Sequence, residues 1–219
     1  SKNVANGIAM ASNGNLALAN GSGGTAGLAS NYSLNSTVIN IAKRVLNSSG
    51  SKTYDANTNA LAGAITLSNL VSGEALNHSG TATISSANAG SYTISNLTGI
   101  NIADGSGGTA SNYTLTGGTH NFTVNQRPLN ATLARQYDGT TAAAGSTLSS
   151  FDALQGGETL TLSGSGTAAN DNVANGISVS SLGTLALVNG TGAASNYSLN
   201  SAAINITQRV LNSSGSKIY

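Results

Sequence analysis

Carboxylates and histidines are the side chains of this sequence with the most chemistry to offer, and both are sparse. The seven acidic residues are spread singly along the chain: Asp55, Glu74, Asp104, Asp138, Asp152, Glu158 and Asp171. Calcium needs six to eight oxygen ligands, usually from clustered carboxylates, and this spread supplies no such cluster. We therefore expect no metal site and no cofactor. The one alternative left open is Ca²⁺ held by Glu74 or Glu158 with a nearby aspartate.

The sequence also lacks a pattern of catalytic groups. His78 and His120 stand alone, without a metal-ligand partner or a Ser/Asp arrangement, so we expect exposed or turn histidines. The glycine runs at 21–24 and 105–108 are not followed by the Lys-Ser/Thr of a phosphate-binding loop. Since catalysis needs unlike groups that converge, we predict that the protein is not an enzyme and has no catalytic or cofactor-binding residues.

Composition indicates an ordered β protein. Charged residues make up 7% of the chain and the net charge is +1, so no basic surface is available for nucleic acid. No apolar run approaches the ~20 residues that span a bilayer, so we expect no membrane insertion. Hydrophobic residues reach 39% and cysteine is absent, so packing and sheet hydrogen bonds alone must stabilise the fold.

Arginine, tyrosine and aspartate recur at fixed positions and define an internal repeat. The arginines are Arg44, Arg127 and Arg209, spaced 83 and 82 residues apart. Ten residues after each arginine stands a tyrosine, at Tyr54, Tyr137 and Tyr219, and aspartate follows the first two, at Asp55 and Asp138. A Ser-Asn-Tyr triplet precedes each arginine and ends at Tyr32, Tyr113 and Tyr197. We predict that these residues are structural anchors, with packed tyrosines and aspartate-stabilised turns.

A further recurring element is a turn after a short apolar segment, at Asn20-Gly21, Asp104-Gly105 and Asn189-Gly190. Type I′ hairpin turns favour Asn-Gly and Asp-Gly, because both central residues have φ > 0. The Gly/Ser-rich spacer that follows varies in length between copies, as exposed loop tips do. The sequence therefore predicts a type I′ turn at each of the three positions.

The anchors divide the chain into four segments. Residues 1–43 form the C-terminal half of a repeat (the partial repeat), and residues 44–126 and 127–208 are complete repeats (repeats A and B). Residues 209–219 begin another repeat (the tail) and match residues 44–54 at every position but one, Thr53 against Ile218. Residues 1–54 and 166–219 are near-copies, which indicates a superrepeat of two repeats.

Apolar and polar residues alternate in short runs, such as Tyr92–Ser95, Phe122–Val124 and Ala203–Thr207. Period-2 alternation is typical of half-buried strands. We predict an all-β protein in which small β-sandwich-like modules follow one another in an elongated rod. A β-solenoid is the alternative, and it ranks second because the anchors repeat at about 82 residues without a convincing shorter period.

The anchors resemble a known repeat family. Arg127-Pro128-Leu129-Asn130 followed by Tyr137-Asp138-Gly139-Thr140 is similar to the YDG-type repeat, which occurs with MBG repeats in filamentous-haemagglutinin-like, two-partner-secretion adhesins. The Gly73-Glu74 and Gly157-Glu158 steps also match. Repeat A departs from the pattern, with Tyr54-Asp55-Ala56-Asn57 at the turn. The resemblance implies a stalk or fibre segment of a large secreted surface adhesin, acting in cell adhesion or as a biofilm matrix scaffold.

Two kinds of partner follow from these interpretations. A stalk would contact neighbouring repeats of the same protein and other copies in a fibre, on the bacterial cell surface or in the extracellular space. The alternative is a carbohydrate-binding repeat that uses Tyr113 and Tyr197 to contact host or matrix glycans.

Overall fold

The computed structural model describes residues 3–10, 16–22, 28–34 and 37–218. Within this part the regular structure consists of β-strands and single-turn 3-10 helices, so the all-β prediction is confirmed. The 3-10 turns lie at Ala29–Asn31, Ala62–Ala64, Ala110–Asn112, Gly145–Thr147 and Ala194–Asn196. Three of them are formed by the Ala-Ser-Asn that precedes the tyrosine of each Ser-Asn-Tyr triplet.

The strands follow the repeats in order. The partial repeat contributes β1 (Ala5–Ala9) and β2 (Val38–Ile41). Repeat A contributes β3 (Arg44–Val45), β4 (Asn47–Thr53), β5 (Asn59–Leu61), β6 (Ile65–Ser68), β7 (Leu76–Ile84), β8 (Gly90–Asn96), β9 (Ile100–Asp104), β10 (Tyr113–Thr114) and β11 (His120–Asn125). Repeat B contributes β12 (Arg127–Gln136), β13 (Ala142–Ala144), β14 (Leu148–Phe151), β15 (Leu160–Ser163), β16 (Ser165–Ala168), β17 (Ala174–Ser181), β18 (Ala186–Asn189) and β19 (Tyr197–Thr207).

Repeats A and B share one sheet topology. The order is β5-β7-β8-β11-β4-β6 in repeat A and β13-β16-β17-β19-β12-β14 in repeat B. β9 pairs with the first half of β7, and β18 pairs in the same way with β15, which corresponds to that half. Most pairings are antiparallel, which differs from the stacked parallel coils of a β-helix. That successive repeats form a rod remains a prediction.

The first and last long strands of each repeat pair in parallel. β4 pairs with β11 in repeat A, and β12 pairs with β19 in repeat B. The second ladder contains ten residue pairs, from Arg127 with Tyr197 to Gln136 with Thr207. Each repeat is therefore closed by strands from its two sequence ends.

Alternation along these strands builds the core. The buried positions of β11 are Phe122 and Val124, and those of β19 include Ile204 and Ile206. The intervening residues face away from the core, as a pleated strand requires. The residues that the sequence marked as alternating therefore lie in strands with one buried face.

The hydrophobic core does not stop at the boundary between repeats. Phe122, Val124 and Ile84 of repeat A pack in one cluster with Leu129, Leu160 and Tyr197 of repeat B. A second cluster lies within repeat B and contains Leu133, Ile177 and Ile204. Since one apolar cluster crosses the boundary, the two repeats support each other by hydrophobic burial.

The predicted type I′ turns are wrong. φ is not positive at Asp104, Gly105, Asn189 or Gly190. The side chains instead close a longer loop, because Asp104 Oδ1 accepts from Ala110 N and Asn189 Oδ1 accepts from Ala194 N, both at 2.7 Å. Asn20 Oδ1 accepts from Ala29 N in the same way. The side chain therefore fixes the start of the 3-10 turn rather than a hairpin.

The histidines differ from expectation as well. Both are half-buried and lie in strands, not in turns. His120 Nδ1 lies 2.9 Å from Ser48 Oγ and its Nε2 lies 2.8 Å from Leu115 O. His78 Nε2 lies 2.9 Å from Ile65 O. Each ring thus lies within hydrogen-bond distance of nearby main-chain or serine oxygens, which gives both histidines a structural role.

Candidate functional site

Tyr54 crosses from repeat A into repeat B. It follows β4, and its N–H donates to Asn125 O at 2.9 Å, which holds the end of β4 beside the end of β11. Its side chain is 3% exposed, and its hydroxyl donates to Glu158 Oε1 of repeat B at 2.6 Å. The tyrosine of one repeat is thus buried against the next.

Tyr197 of repeat B completes the contact. Its ring meets that of Tyr54 edge to face, with centroids 5.3 Å apart and an interplanar angle of 76°, an arrangement that aromatic quadrupoles favour. Its hydroxyl donates to Glu158 Oε2 and accepts from Gln155 N at 3.1 Å. The two oxygens of one carboxylate therefore accept one hydroxyl from each repeat.

Arg127 donates to main-chain oxygens of both repeats at this boundary. Its Nε donates to Ala153 O at 2.7 Å and its Nη1 donates to Tyr54 O at 3.3 Å. The guanidinium is a planar, permanently charged donor that can serve several acceptors at once. Arg127, Glu158 and Tyr197 therefore form a cleft in repeat B that holds Tyr54, and we name these three residues with their neighbours the tyrosine cleft.

The electrostatics of the cleft keep both tyrosines protonated. Burial, together with the hydrogen bond to Glu158 and its charge, raises the pKa of Tyr54 to about 12. Burial and the same carboxylate raise the pKa of Tyr197. A phenolate here would lose water and face a carboxylate. Both hydroxyls are therefore donors at neutral pH.

Asn196 adds a second polar link across the boundary. It is 2% exposed, its Oδ1 accepts from Ala89 N at 2.8 Å, and its Nδ2 donates to Asn88 Oδ1 at 3.1 Å. Buried amides are stable only when such bonds are made. The Asn and the Tyr of one Ser-Asn-Tyr triplet thus both face the preceding repeat.

The boundary between the partial repeat and repeat A has the same construction. The Tyr113 hydroxyl contacts Glu74 Oε2 and accepts from Val71 N at 3.2 Å. Asn112 Oδ1 accepts from Val4 N at 2.9 Å, as Asn196 accepts from Ala89 N. Arg44 Nε donates to Asn69 O at 2.6 Å, as Arg127 donates to Ala153. The polar contacts of Arg44, Asn112 and Tyr113 therefore match those of their counterparts in repeat B.

Comparison with protein families agrees with this twofold geometry. The YDG domain matches twice, at residues 42–120 and 123–204, and the two matches cover well over half of the chain. The chain belongs to the YDG domain family. Comparison with curated proteins and with solved structures returns no match.

The Tyr-Asp turn after the first long strand has the same hydrogen-bond pattern in both YDG repeats. Asp55 Oδ1 accepts from Asn57 N at 3.2 Å, and Asp138 Oδ1 accepts from Thr140 N at 3.0 Å. A basic residue three positions earlier contacts each aspartate, Lys52 at 2.7 Å in repeat A and Arg135 in repeat B. The Tyr-Asp-Ala-Asn sequence of repeat A thus keeps the turn that Tyr-Asp-Gly-Thr forms in repeat B.

The remaining predicted anchors are not brought into a tyrosine cleft. Tyr32 is 68% exposed, and Tyr137 is 39% exposed, although Tyr137 N donates to Thr207 O at 2.9 Å as Tyr54 N does to Asn125 O. Arg209 lies in residues 208–218, which form no strand. In repeat A the matching segment pairs with β6 and β11, which come later in the same repeat. Tyr219 lies outside the described residues.

Glu74 and Glu158 are site residues that the predicted anchors do not include. The sequence offered them only as the open alternative of a Ca²⁺ site, and in the structure each accepts a tyrosine hydroxyl. Their recurrence in Gly-Glu steps at the repeat spacing could have indicated a structural role.

Across residues 3–10, 16–22, 28–34 and 37–218, no three acidic or histidine side chains are grouped so as to hold a metal ion. The same ranges contain no helix with the length and apolarity of a membrane span.

Proposed function

We propose that this chain is a structural segment of a large secreted bacterial surface adhesin, in which YDG repeats stack into a stalk or fibre. The observation that carries the proposal is Tyr54, a side chain of repeat A that is buried in repeat B and bonded to Glu158. A side chain buried in the next repeat limits rotation between the two. A stalk requires that limit at every boundary.

The direct connection between repeats supports the same role. β11 ends at Asn125 and β12 begins at Arg127, so Gln126 is the entire connection. Gln126 Nε2 itself donates to Ser195 O at 3.1 Å. Together with the shared apolar cluster, this leaves no flexible linker of the kind that separates independent domains.

The adhesin context rests on sequence resemblance and on composition. The Arg127-Pro128-Leu129-Asn130 and Tyr137-Asp138-Gly139-Thr140 segments resemble repeats of filamentous-haemagglutinin-like adhesins, and the absence of cysteine fits a chain that is exported before it folds. Extracellular location, adhesion and a matrix role are therefore parts of one proposal. Their direct test is to display a ligand-binding tip on bacterial cells through this chain and to measure capture of ligand-coated beads.

Carbohydrate binding through the triplet tyrosines has less support. Tyr113 and Tyr197 are buried, and their hydroxyls are bonded to Glu74 and Glu158. A sugar that stacks on an aromatic ring needs an exposed ring face, which neither residue offers. A glycan array with the purified chain should therefore show no binding that depends on Tyr113 or Tyr197.

Small-angle scattering tests the stalk. A compact protein of this length has a radius of gyration of about 17 Å, and the chain should exceed that value with a profile typical of a rod. A Gly-Ser linker inserted after Gln126 should broaden the distance distribution by freeing the boundary. The same insertion between Asn172 and Val173, in an exposed loop of repeat B, is the control and should leave the profile unchanged. A compact particle, or identical profiles for the two insertions, would contradict the proposal.

A further inference from the structure

Repeat A contains a second tyrosine cleft that is open. A cavity of about 210 Å³ lies between repeat A and the partial repeat, and its lining includes Arg44, Val71, Glu74 and Tyr113, with Ile41 from the partial repeat. Arg44, Glu74 and Tyr113 are the counterparts of Arg127, Glu158 and Tyr197. In repeat B those three residues contact Tyr54: Glu158 accepts its hydroxyl, Tyr197 meets its ring, and Arg127 donates to its main-chain oxygen.

The polar groups of the open cleft are already arranged as in the filled one. The hydroxyl of Tyr113 contacts Glu74 Oε2, as Tyr197 contacts Glu158 Oε2. Glu158 Oε1 accepts from Tyr54, whereas Glu74 Oε1 has no hydrogen-bond partner within the part of the chain that the structure describes. One carboxylate oxygen is therefore available where the filled cleft binds a tyrosine.

Two residues around the open cleft are more exposed than their counterparts around the filled cleft. Arg127 is half-buried in the filled cleft, whereas Arg44 is exposed. Asn196 is buried, whereas Asn112 is half-buried, although both bond the preceding repeat. Tyr113 and Tyr197 are equally buried, at 3% and 2% exposed, so the two clefts differ at their arginine and asparagine rather than at this tyrosine.

Tyr137 is the matching unfilled tyrosine. Its backbone is held like that of Tyr54, through Thr207 O, yet its ring is exposed beside Val173, Arg209 and Leu211. The tail that follows it begins with the arginine that would form the next cleft. The described chain therefore has one cleft without a tyrosine and one tyrosine without a cleft.

We propose that the cleft of Arg44, Glu74 and Tyr113 binds the Tyr-Asp turn of the YDG repeat that directly precedes it in the same polypeptide. By the same geometry, Tyr137 enters the cleft of the repeat that directly follows. We assign the occupant to the same polypeptide for two reasons. Repeats A and B are joined by a single residue, and this direct connection places Tyr54 in the cleft of the adjacent repeat. Asn112 already accepts from the partial repeat, as Asn196 accepts from repeat A. This inference deepens the proposed stalk role but rests on the geometry of the filled cleft.

The test extends the chain by one superrepeat. Residues 1–219 are followed directly by a second copy of residues 55–219, which completes the tail as a third repeat because it matches residues 44–54 apart from Ile218. Tyr137→Phe in the second copy leaves a single Tyr137 to follow. Nitration by tetranitromethane, read by mass spectrometry, then reports the accessibility of that ring in the original and in the extended chain.

We expect Tyr137 to react readily in the original chain and to be protected in the extended chain as strongly as Tyr54, which serves as the internal control for folding. Glu74→Gln in the second copy should restore part of the reactivity, and Tyr113→Phe there is the milder variant if folding is impaired. Equal reactivity of Tyr137 in the two chains, with Tyr54 protected, would overturn the inference. So would a concentration-dependent dimer of the original chain that Tyr137→Ala abolishes, because the tyrosine would then enter another molecule.

Scattering of the extended chain separates this inference from the stalk proposal. Protection of Tyr137 in a particle that is not elongated would remove the stalk and leave the cleft assignment intact. An elongated particle with a reactive Tyr137 would do the reverse.

Discussion

Tyr54 and Tyr197 meet edge to face across the boundary between two repeats, with ring centroids 5.3 Å apart. Their hydroxyls bind the two oxygens of the Glu158 carboxylate. The end of the first long strand of repeat A and the start of the last strand of repeat B thus share one acceptor. This arrangement makes the boundary part of the fold, and its energetic contribution can be measured with single substitutions.

Tyr54→Ala should lower the free energy of unfolding by about 3–5 kcal/mol, the range for large aromatic truncations in cores. The variant loses a buried ring and leaves Glu158 Oε1 without its donor. Urea denaturation monitored by circular dichroism measures the change. Tyr137→Ala is the matched control, since that side chain is 39% exposed and should change stability by about 1 kcal/mol or less. Equal effects of the two substitutions would contradict the assigned burial.

The hydrogen bond between Tyr54 and Glu158 should appear in a double-mutant cycle. Tyr54→Phe and Glu158→Gln each weaken the same contact, so their effects should be non-additive by about 0.5–3 kcal/mol. Tyr54→Phe combined with Glu74→Gln pairs the tyrosine with the carboxylate of the other cleft and should be additive within about 0.5 kcal/mol. The measurement is again the free energy of unfolding, and additivity in the first pair would show that the contact contributes nothing.

Stability should fall at alkaline pH. The pKa of Tyr54 is raised from 10.0 to about 12 in the folded chain, so the folded state holds its proton longer than the unfolded state does. The stabilisation is therefore complete below pH 10 and is lost as the pH rises from 10 to about 12. Denaturation midpoints across this range should drop less steeply in Tyr54→Phe than in the parent chain. An unchanged slope in Tyr54→Phe would contradict the prediction.

Gly190 should not tolerate a side chain even though its φ is not positive. A Cβ there would lie 2.4 Å from Thr159 O, a main-chain atom that cannot move aside easily. Gly190→Ala should therefore destabilise the fold by about 1–3 kcal/mol, as overpacking does. Gly63→Ala is the control, because a Cβ at Gly63 meets nothing within 4 Å. Thermal unfolding of the two variants would distinguish a close approach from a simple preference for glycine in loops.

The sequence allowed the repeat and the strands to be predicted, because both follow from periodicity. Arg44 and Arg127 lie in equivalent main-chain contacts, and Phe122 and Val124 lie on one buried face. The sequence did not reveal against which repeat the side chain of Tyr54 packs, because spacing within a repeat carries no information on contacts between repeats. The Asp104-Gly105 pair led to a wrong prediction of a type I′ turn for a related reason. The side chain of Asp104 can either favour a tight turn or accept from an N–H farther along the chain, and only the fold selects between the two.

The parallel pairing of first and last strands determines how a repeat bears tension. The chain enters repeat B at the start of β12 and leaves at the end of β19, which lie at opposite ends of a ladder of ten residue pairs. A pull on the chain therefore loads those hydrogen bonds in shear, all together, instead of opening them one by one as it would in a hairpin. Each YDG repeat is thus oriented to resist stretching along the polypeptide and to yield abruptly when it fails.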